Sequence, residues 1–179
     1  MNAANTTEQE IRFSLLELLK EHSVVCHEED MGEGQKAIFA SFTMGTKDPI
    51  EFDYIFNLVK SASKFEMAHY NYQSYVELSG LVNKDNEKDL AWMISKINPF
   101  LPLGSFGIFD RLGSLYWKQN TLLDKKLSSE QLSSTIIAEA VFSQSVIMDF
   151  RDTLLNFLLN RKSAEDCLRE NKWSKLMFP

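Results

Sequence analysis

The stretch from Asn98 to Asp124 constrains the fold more tightly than any other part of the chain. It reads Asn-Pro-Phe-Leu-Pro-Leu-Gly-Ser-Phe-Gly-Ile-Phe-Asp-Arg-Leu-Gly-Ser-Leu-Tyr-Trp-Lys-Gln-Asn-Thr-Leu-Leu-Asp. Pro99 and Pro102, followed by Gly104, halt any helix that precedes them, because proline has no backbone N–H and restricts the residue before it. Two aromatic-rich runs then flank Asp110-Arg111-Leu112-Gly113, which reads as a turn. The pattern predicts a β-hairpin laid between two helices.

The flanking segments carry helix signals. Upstream, Asn86 or Asp85 can cap a helix with apolar positions Leu90, Trp92, Met93, Ile94 and Ile97. Downstream, Ser128 and Gln131 fit a capping box. Leu132, Ile136, Ala140, Ile147, Phe150, Leu154 and Leu158 then recur at helical spacing. No proline or glycine interrupts residues 127–178. A helix from Ser129 to about Asn160 is roughly 48 Å long at 1.5 Å per residue, so it either breaks near Ser143-Gln144-Ser145 or projects.

Nearer the N-terminus, Thr7 and Glu10 fit another capping box, and Ile11, Leu15, Leu18 and Leu19 form an apolar stripe. This helix is expected to run to about His22. Val24-Val25-Cys26 is β-prone, and Met31-Gly32-Glu33-Gly34 reads as a turn. Alternation continues through Ile38, Ala40, Phe42 and Met44, then breaks at Asp48-Pro49. It resumes at Phe52, Tyr54, Phe56 and Leu58. After a Ser61-Ala62-Ser63 turn come Phe65, Met67 and His69, then Tyr75, Glu77, Ser79 and Leu81, ending in a turn at Asn83–Asn86. Period-two strands joined by polar turns imply an antiparallel sheet. The stretch 52–72 is poor in β-branched residues and also reads partly as helix.

The expected fold is therefore α+β: a twisted antiparallel β-sheet packed against helices. The order is helix, several strands, helix, β-hairpin, long C-terminal helix. Residues 1–160 are expected to form one domain, with 161–179 as an amphipathic tail.

The 179 residues carry a net charge of −6, which opposes nonspecific attraction to nucleic acid or an anionic membrane. No apolar run approaches the ~20 residues needed to span a bilayer, and residues 1–7 lack the basic and apolar regions of a signal peptide. Cys26 and Cys167 read as reduced thiols. These features predict a soluble, cytoplasmic protein with no nucleic-acid or membrane partner.

Leu101-Pro102-Leu103-Gly104-Ser105-Phe106, then Gly113-Ser114-Leu115-Tyr116, then Leu127-Ser128-Ser129-Glu130-Gln131-Leu132 resemble the YbjN-like family, within the broader fold of type III secretion chaperones. The resemblance implies an α+β sandwich with helices on one face of a twisted antiparallel sheet. It also implies a protein that binds protein partners, commonly as a homodimer, and does not catalyse a reaction. The reduced hairpin turn at 110–113 and the longer tail after Leu159 depart from the family pattern, which weakens transfer of any specific partner.

Candidate chemistry is sparse. His27-Glu28-Glu29-Asp30 lacks the His-Glu-x-x-His spacing of a zinc helix, since position 31 is methionine, and reads as a solvated acidic loop. His69 has no nucleophile signature beside it. Gly32-Glu33-Gly34-Gln35 is no phosphate loop. No catalytic residue, metal site or cofactor is expected.

The aromatic strand positions Tyr54, Phe56, Phe65, Tyr70, Tyr72 and Tyr75 could stack bases only beside a basic groove, which an acidic chain does not suggest. Core packing explains most of them. A second alternating set, Phe39, Ile55, Val59, Ala68, Tyr70 and Tyr72, is expected to fall on the opposite sheet face. That face then needs a cover, from the C-terminal segment or from a partner. In the tail, Leu168, Trp173, Leu176 and Met177 suit an amphipathic helix over Asp166–Phe178, docked on its own domain or on a partner. Phe39, Ile55, Val59, Tyr70, Tyr72 and Trp173 are thus the candidate partner-binding residues. The alternative is a small-molecule or nucleotide sensor with a pocket between helices and sheet, rimmed by Trp92, Trp117 and His69.

Overall fold

In a computed structural model, residues 6–32, 34–44, 50–59, 69–109 and 111–178 are described. The elements run α1 (Glu8–Glu21), β1 (Val25–Gly32), β2 (Gln35–Met44), β3 (Ile50–Val59), β4 (His69–Ser79), α2 (Glu87–Ile97), β5 (Ser105–Phe109), β6 (Ser114–Asp124), α3 (Ser129–Leu158), α4 (Ala164–Glu170) and α5 (Ser174–Met177). The strands form one six-stranded antiparallel sheet in the order β1-β2-β3-β4-β6-β5. The fold is α+β, with the long helix in the C-terminal region. Glu33, Asp48-Pro49, Ser61-Ala62-Ser63, Phe65, Met67, Ala68 and Asp110 lie outside the described residues. The chain clusters into two compact units, Met1–Val76 with Gln119–Val141, and Glu77–Lys118 with Phe142–Pro179.

In the first unit, Thr7 and Glu10 close the expected capping box: Thr7 Oγ1 accepts from the Glu10 backbone, and Glu10 Oε2 accepts from the Thr7 N–H at 2.6 Å. Ile11, Leu15 and Leu19 are the buried stripe of α1. β2 pairs with β3 so that Ile38, Ala40 and Phe42 face Phe56, Tyr54 and Phe52. α1 and the first part of α3 pack on that face. Tyr54 Oη donates to Ala140 O, Ser133 Oγ donates to Ile11 O, and Tyr70 Oη donates to Thr6 O.

The segment His27–Asp30 is strand, not loop. β1 pairs with β2 through its length, and Glu28 is pinned by Arg12 at 3.0 Å and Lys36 at 2.5 Å. The ion pairs and the ladder hydrogen bonds together give this acidic stretch a reason to be extended, which hydropathy alone does not provide.

In the second unit, α2 starts at Asn86, but that side chain does not cap the helix. Its Oδ1 accepts from Asn83 N and its Nδ2 donates to Leu81 O, which orders the turn instead. After α2, Asn98–Phe100 forms a single 3₁₀ turn with Pro99 inside it, and the backbone becomes extended at Leu101, just before Pro102. The hairpin β5–β6 follows as predicted, with Phe106 opposite Trp117. α3 runs unbroken through Ser143-Gln144-Ser145; Ser143 and Gln144 are buried. The segment 166–178 is two short helices, not one. Asn171 turns extended between them, donating to Asp149 O and Thr153 Oγ1 at 2.8 Å while its Oδ1 accepts from Trp173 N. Cys167, Leu168 and Met177 are buried, so the tail docks within its own chain.

Candidate functional site

The sheet face of the first unit opposite α1 and α3 carries the feature most in need of a function. In β1, β2 and β3 it presents His27, Phe39, Ser41, Asp53, Ile55, Asn57 and Val59, as the strand register requires. In β4 the same face presents Asn71, Gln73 and Tyr75, because Ile55 pairs with Tyr75 and Asn57 with Gln73. Gln73 Nε2 donates to Asn120 Oδ1 at 2.9 Å, which places Asn120 on this face, and Leu122 is 59% exposed. His27 stacks on Phe39 with ring centroids 5.4 Å apart, and its Nε2 lies 2.9 Å from Glu29 Oε1. Ser41 Oγ donates to Asp53 across the strand pair.

Phe39, Ile55 and Val59 therefore lie where the alternation predicts. Tyr70 and Tyr72 do not. Leu58 pairs with Tyr72, so Tyr72 shares the helix-covered face with Tyr54 and Phe56 and is almost fully buried. A one-residue change of phase across a hairpin moves every side chain to the other face. Here the alternation of Phe65, Met67 and His69 set the expected phase, whereas the register of β3 with β4 sets the actual one. Tyr75, expected in the core set, is half-buried on the face opposite the helices. Trp173 stands at the start of α5, 39% exposed, with its Nε1 donating to Asp149 Oδ2 at 3.2 Å.

The residues expected at a sensor pocket sit differently. Trp117 is 0% exposed and packs edge-on against Phe106 at 5.2 Å, so it rims nothing. Trp92 lies on the outer side of α2, in the same unit. His69 begins β4 in the first unit, beside a shallow cleft of about 240 Å³ lined by Glu8, Leu58, Val59, Tyr70, Asn71 and Lys125. Between helices and sheet in that unit, the gap bounded by Ile11, Leu15, Ile38, Phe56, Tyr72 and Ile136 is about 10 Å³, room for no more than one water. Among the described residues, no cluster of His, Cys, Asp and Glu is arranged to hold a metal, and no helix is long and apolar enough to cross a membrane.

One polar cluster went unseen in the sequence. Glu139 of α3 accepts from Gln119 Nε2 at 2.9 Å and from Thr121 Oγ1 at 2.8 Å, at the helix–sheet interface of the first unit. The available signal was an acid three positions after buried Ile136, on the flank of an apolar stripe. Burial pushes the Glu139 carboxyl above its ordinary 4.5, against the opposing pull of the Thr121 and Gln119 hydrogen bonds. Above pH 4.5 the native state thus retains a proton that the unfolded chain has released. The stability this group contributes is full below that pH and is lost as pH rises through the folded value. Glu139→Gln is expected to flatten the fall in stability with rising pH across that window. Urea unfolding at intervals from pH 4.5 upward checks this.

Compared with known protein families, curated proteins and solved structures, the chain matches none.

Proposed function

We propose that this chain is a non-enzymatic interaction protein, chaperone-like or regulatory, that self-associates and holds a polypeptide on the sheet face of its first unit opposite α1 and α3. The observation that carries this reading is the one-sidedness of that unit. Among the described residues, α1 and the first part of α3 pack over Tyr54, Phe56 and Tyr72, while half-buried Phe39, Ile55, Val59 and Tyr75 and exposed Leu122 share the other face. Apolar side chains gathered on a sheet face favour burial against a second surface, at about 25 cal/mol per Å² removed from water. The resemblance of the hairpin motif to the YbjN-like family points the same way, toward protein binding and a homodimer. Two free thiols, Cys26 and Cys167, suit work in the reducing cytoplasm.

Light scattering after size exclusion tests the reading. The chain is expected to run as a dimer at micromolar concentration, and Phe39→Asp with Ile55→Asp to shift it to monomer while leaving the circular dichroism spectrum unchanged. Each substitution introduces a charge that would have to be desolvated at the contact. A strict monomer at all concentrations, together with no partner retained by the immobilised chain, would overturn it.

A further inference from the structure

A second surface of the first unit has a different chemistry. Along the outer side of α1 runs a groove closed on its far wall by the start of α3. One part, of about 510 Å³, is lined by Phe13, Ser14, Glu17, Leu18, Glu21, Ser129, Glu130 and Ser134. The adjoining part, of about 420 Å³, shares Phe13, Ser14 and Ser129 and continues to Thr7, Gln9 and Glu10. Phe13 stands 67% exposed between the two, on the side of the helix away from buried Ile11, Leu15 and Leu19. Three serines line the groove, and small side chains allow a second backbone to come close.

The charge pattern identifies the occupant. Every titratable side chain lining either part is a glutamate: Glu10, Glu17, Glu21 and Glu130. Glu10 is also fixed in place, its carboxylate accepting from the N–H and hydroxyl of Thr7; the same hydrogen bonds hold its pKa below the usual carboxylate value. Among the described residues, only Glu17 of these four is in an ion pair, with Lys20 at 3.3 Å, and both of those side chains are more than half exposed. A second copy is a poor occupant of this particular groove, since its sequence offers no run of basic residues longer than two to set against four glutamates.

We infer that this groove binds a cationic amphipathic helix of a protein partner, with its apolar stripe against Phe13 and Leu18 and its lysines or arginines against Glu10, Glu17, Glu21 and Glu130. Helix-in-groove recognition needs an apolar anchor and a charged rim, and both are present. Electrostatic steering speeds encounter, while the aromatic anchor sets residence.

The probe is a fluorescein-labelled helical peptide of alternating Lys-rich and Leu-rich faces, titrated with the full chain and read by fluorescence anisotropy. Saturable micromolar binding is expected, falling at least tenfold with Phe13→Ala and again with Glu17→Lys plus Glu21→Lys. A Glu/Leu peptide of the same length is expected not to bind. The deciding control matches charge elsewhere: Asp85→Lys plus Asp89→Lys changes net charge equally and is expected to leave affinity within twofold. Equal loss in both double variants would reduce the effect to bulk attraction and overturn the proposal, as would no loss with Phe13→Ala. None of these substitutions touches Phe39 or Ile55, so this proposal and the sheet-face reading fail separately.

Discussion

Gly104→Ala is expected to destabilise the second unit by about 3–5 kcal/mol, a loss large enough to be diagnostic for one methyl group. Gly104 holds φ at +60°, in the left-handed region. A side chain there costs roughly 1–2 kcal/mol by itself. A Cβ would also stand 2.3 Å from Trp117 Cζ2 and 2.9 Å from Lys118 O. Neither neighbour can give way at low cost. The Trp117 ring is wholly buried against Phe106, which in turn meets Phe150 at 6.3 Å, and Lys118 O belongs to the backbone. Gly80→Ala in the same unit is the control, because nothing lies within 4 Å of its Cβ direction. It is expected to change stability by about 0.5 kcal/mol or less. Urea unfolding followed by tryptophan fluorescence compares the two. Equal effects would mean that the glycine at 104 serves neither the turn nor the packing.

Tyr72 gives the second large effect, with an internal test of its cause. Tyr72→Ala is expected to cost about 3–5 kcal/mol, as aromatic truncations in a packed core do. Its ring stacks on Phe56 at 6.1 Å, Phe56 stacks on Tyr54 at 5.5 Å, and Phe42 meets Tyr54 edge-on at 5.2 Å. Removing one ring opens a cavity under three others. Tyr72→Phe is expected to have a much smaller effect. The phenol oxygen is buried, with the hydroxyl of buried Ser74 as its hydrogen-bonding neighbour, so losing it should change stability by no more than about 1 kcal/mol. A loss of more than about 1 kcal/mol in the phenylalanine variant would show that the hydroxyl, and not the ring alone, holds this part of the core.

Tyr72 also shows where sequence reasoning reached its limit. α1 and α3 were legible from capping boxes and apolar spacing, α2 from spacing alone, and the β5–β6 hairpin from its prolines, glycines and aromatics. Those are local signals. The phase of β4 relative to β3 is not local: it depends on how many residues the connection between them takes up, and parity decides which face Tyr72 joins. The same limit hid the strand character of His27–Asp30, whose extended form rests on Arg12, sixteen residues away, and on Lys36. The single amphipathic tail helix was expected from spacing alone. Asn171 broke it through hydrogen bonds to α3, about which a linear pattern carries no information. Of the candidate partner-binding residues, Phe39, Ile55 and Val59 were placed by alternation within strands whose register is fixed by their neighbours. The Phe13 groove was missed because an apolar residue among glutamates on a helix reads as an ordinary exposed position.

Asn98 carries a consequence beyond the turn it begins. Its side-chain Nδ2 donates to Phe106 O and its Oδ1 accepts from Phe106 N, both at 3.0 Å, so one amide does for β5 what a neighbouring strand would do. Conversion to aspartate would remove the donor and leave the Phe106 carbonyl unpaired. Asparagines age in this way when the nitrogen of the next residue attacks the side-chain carbonyl to form a cyclic imide. Here the next residue is Pro99, whose nitrogen bears no hydrogen to lose. The residue that ends the helix also closes the usual route by which this clamp would decay with time.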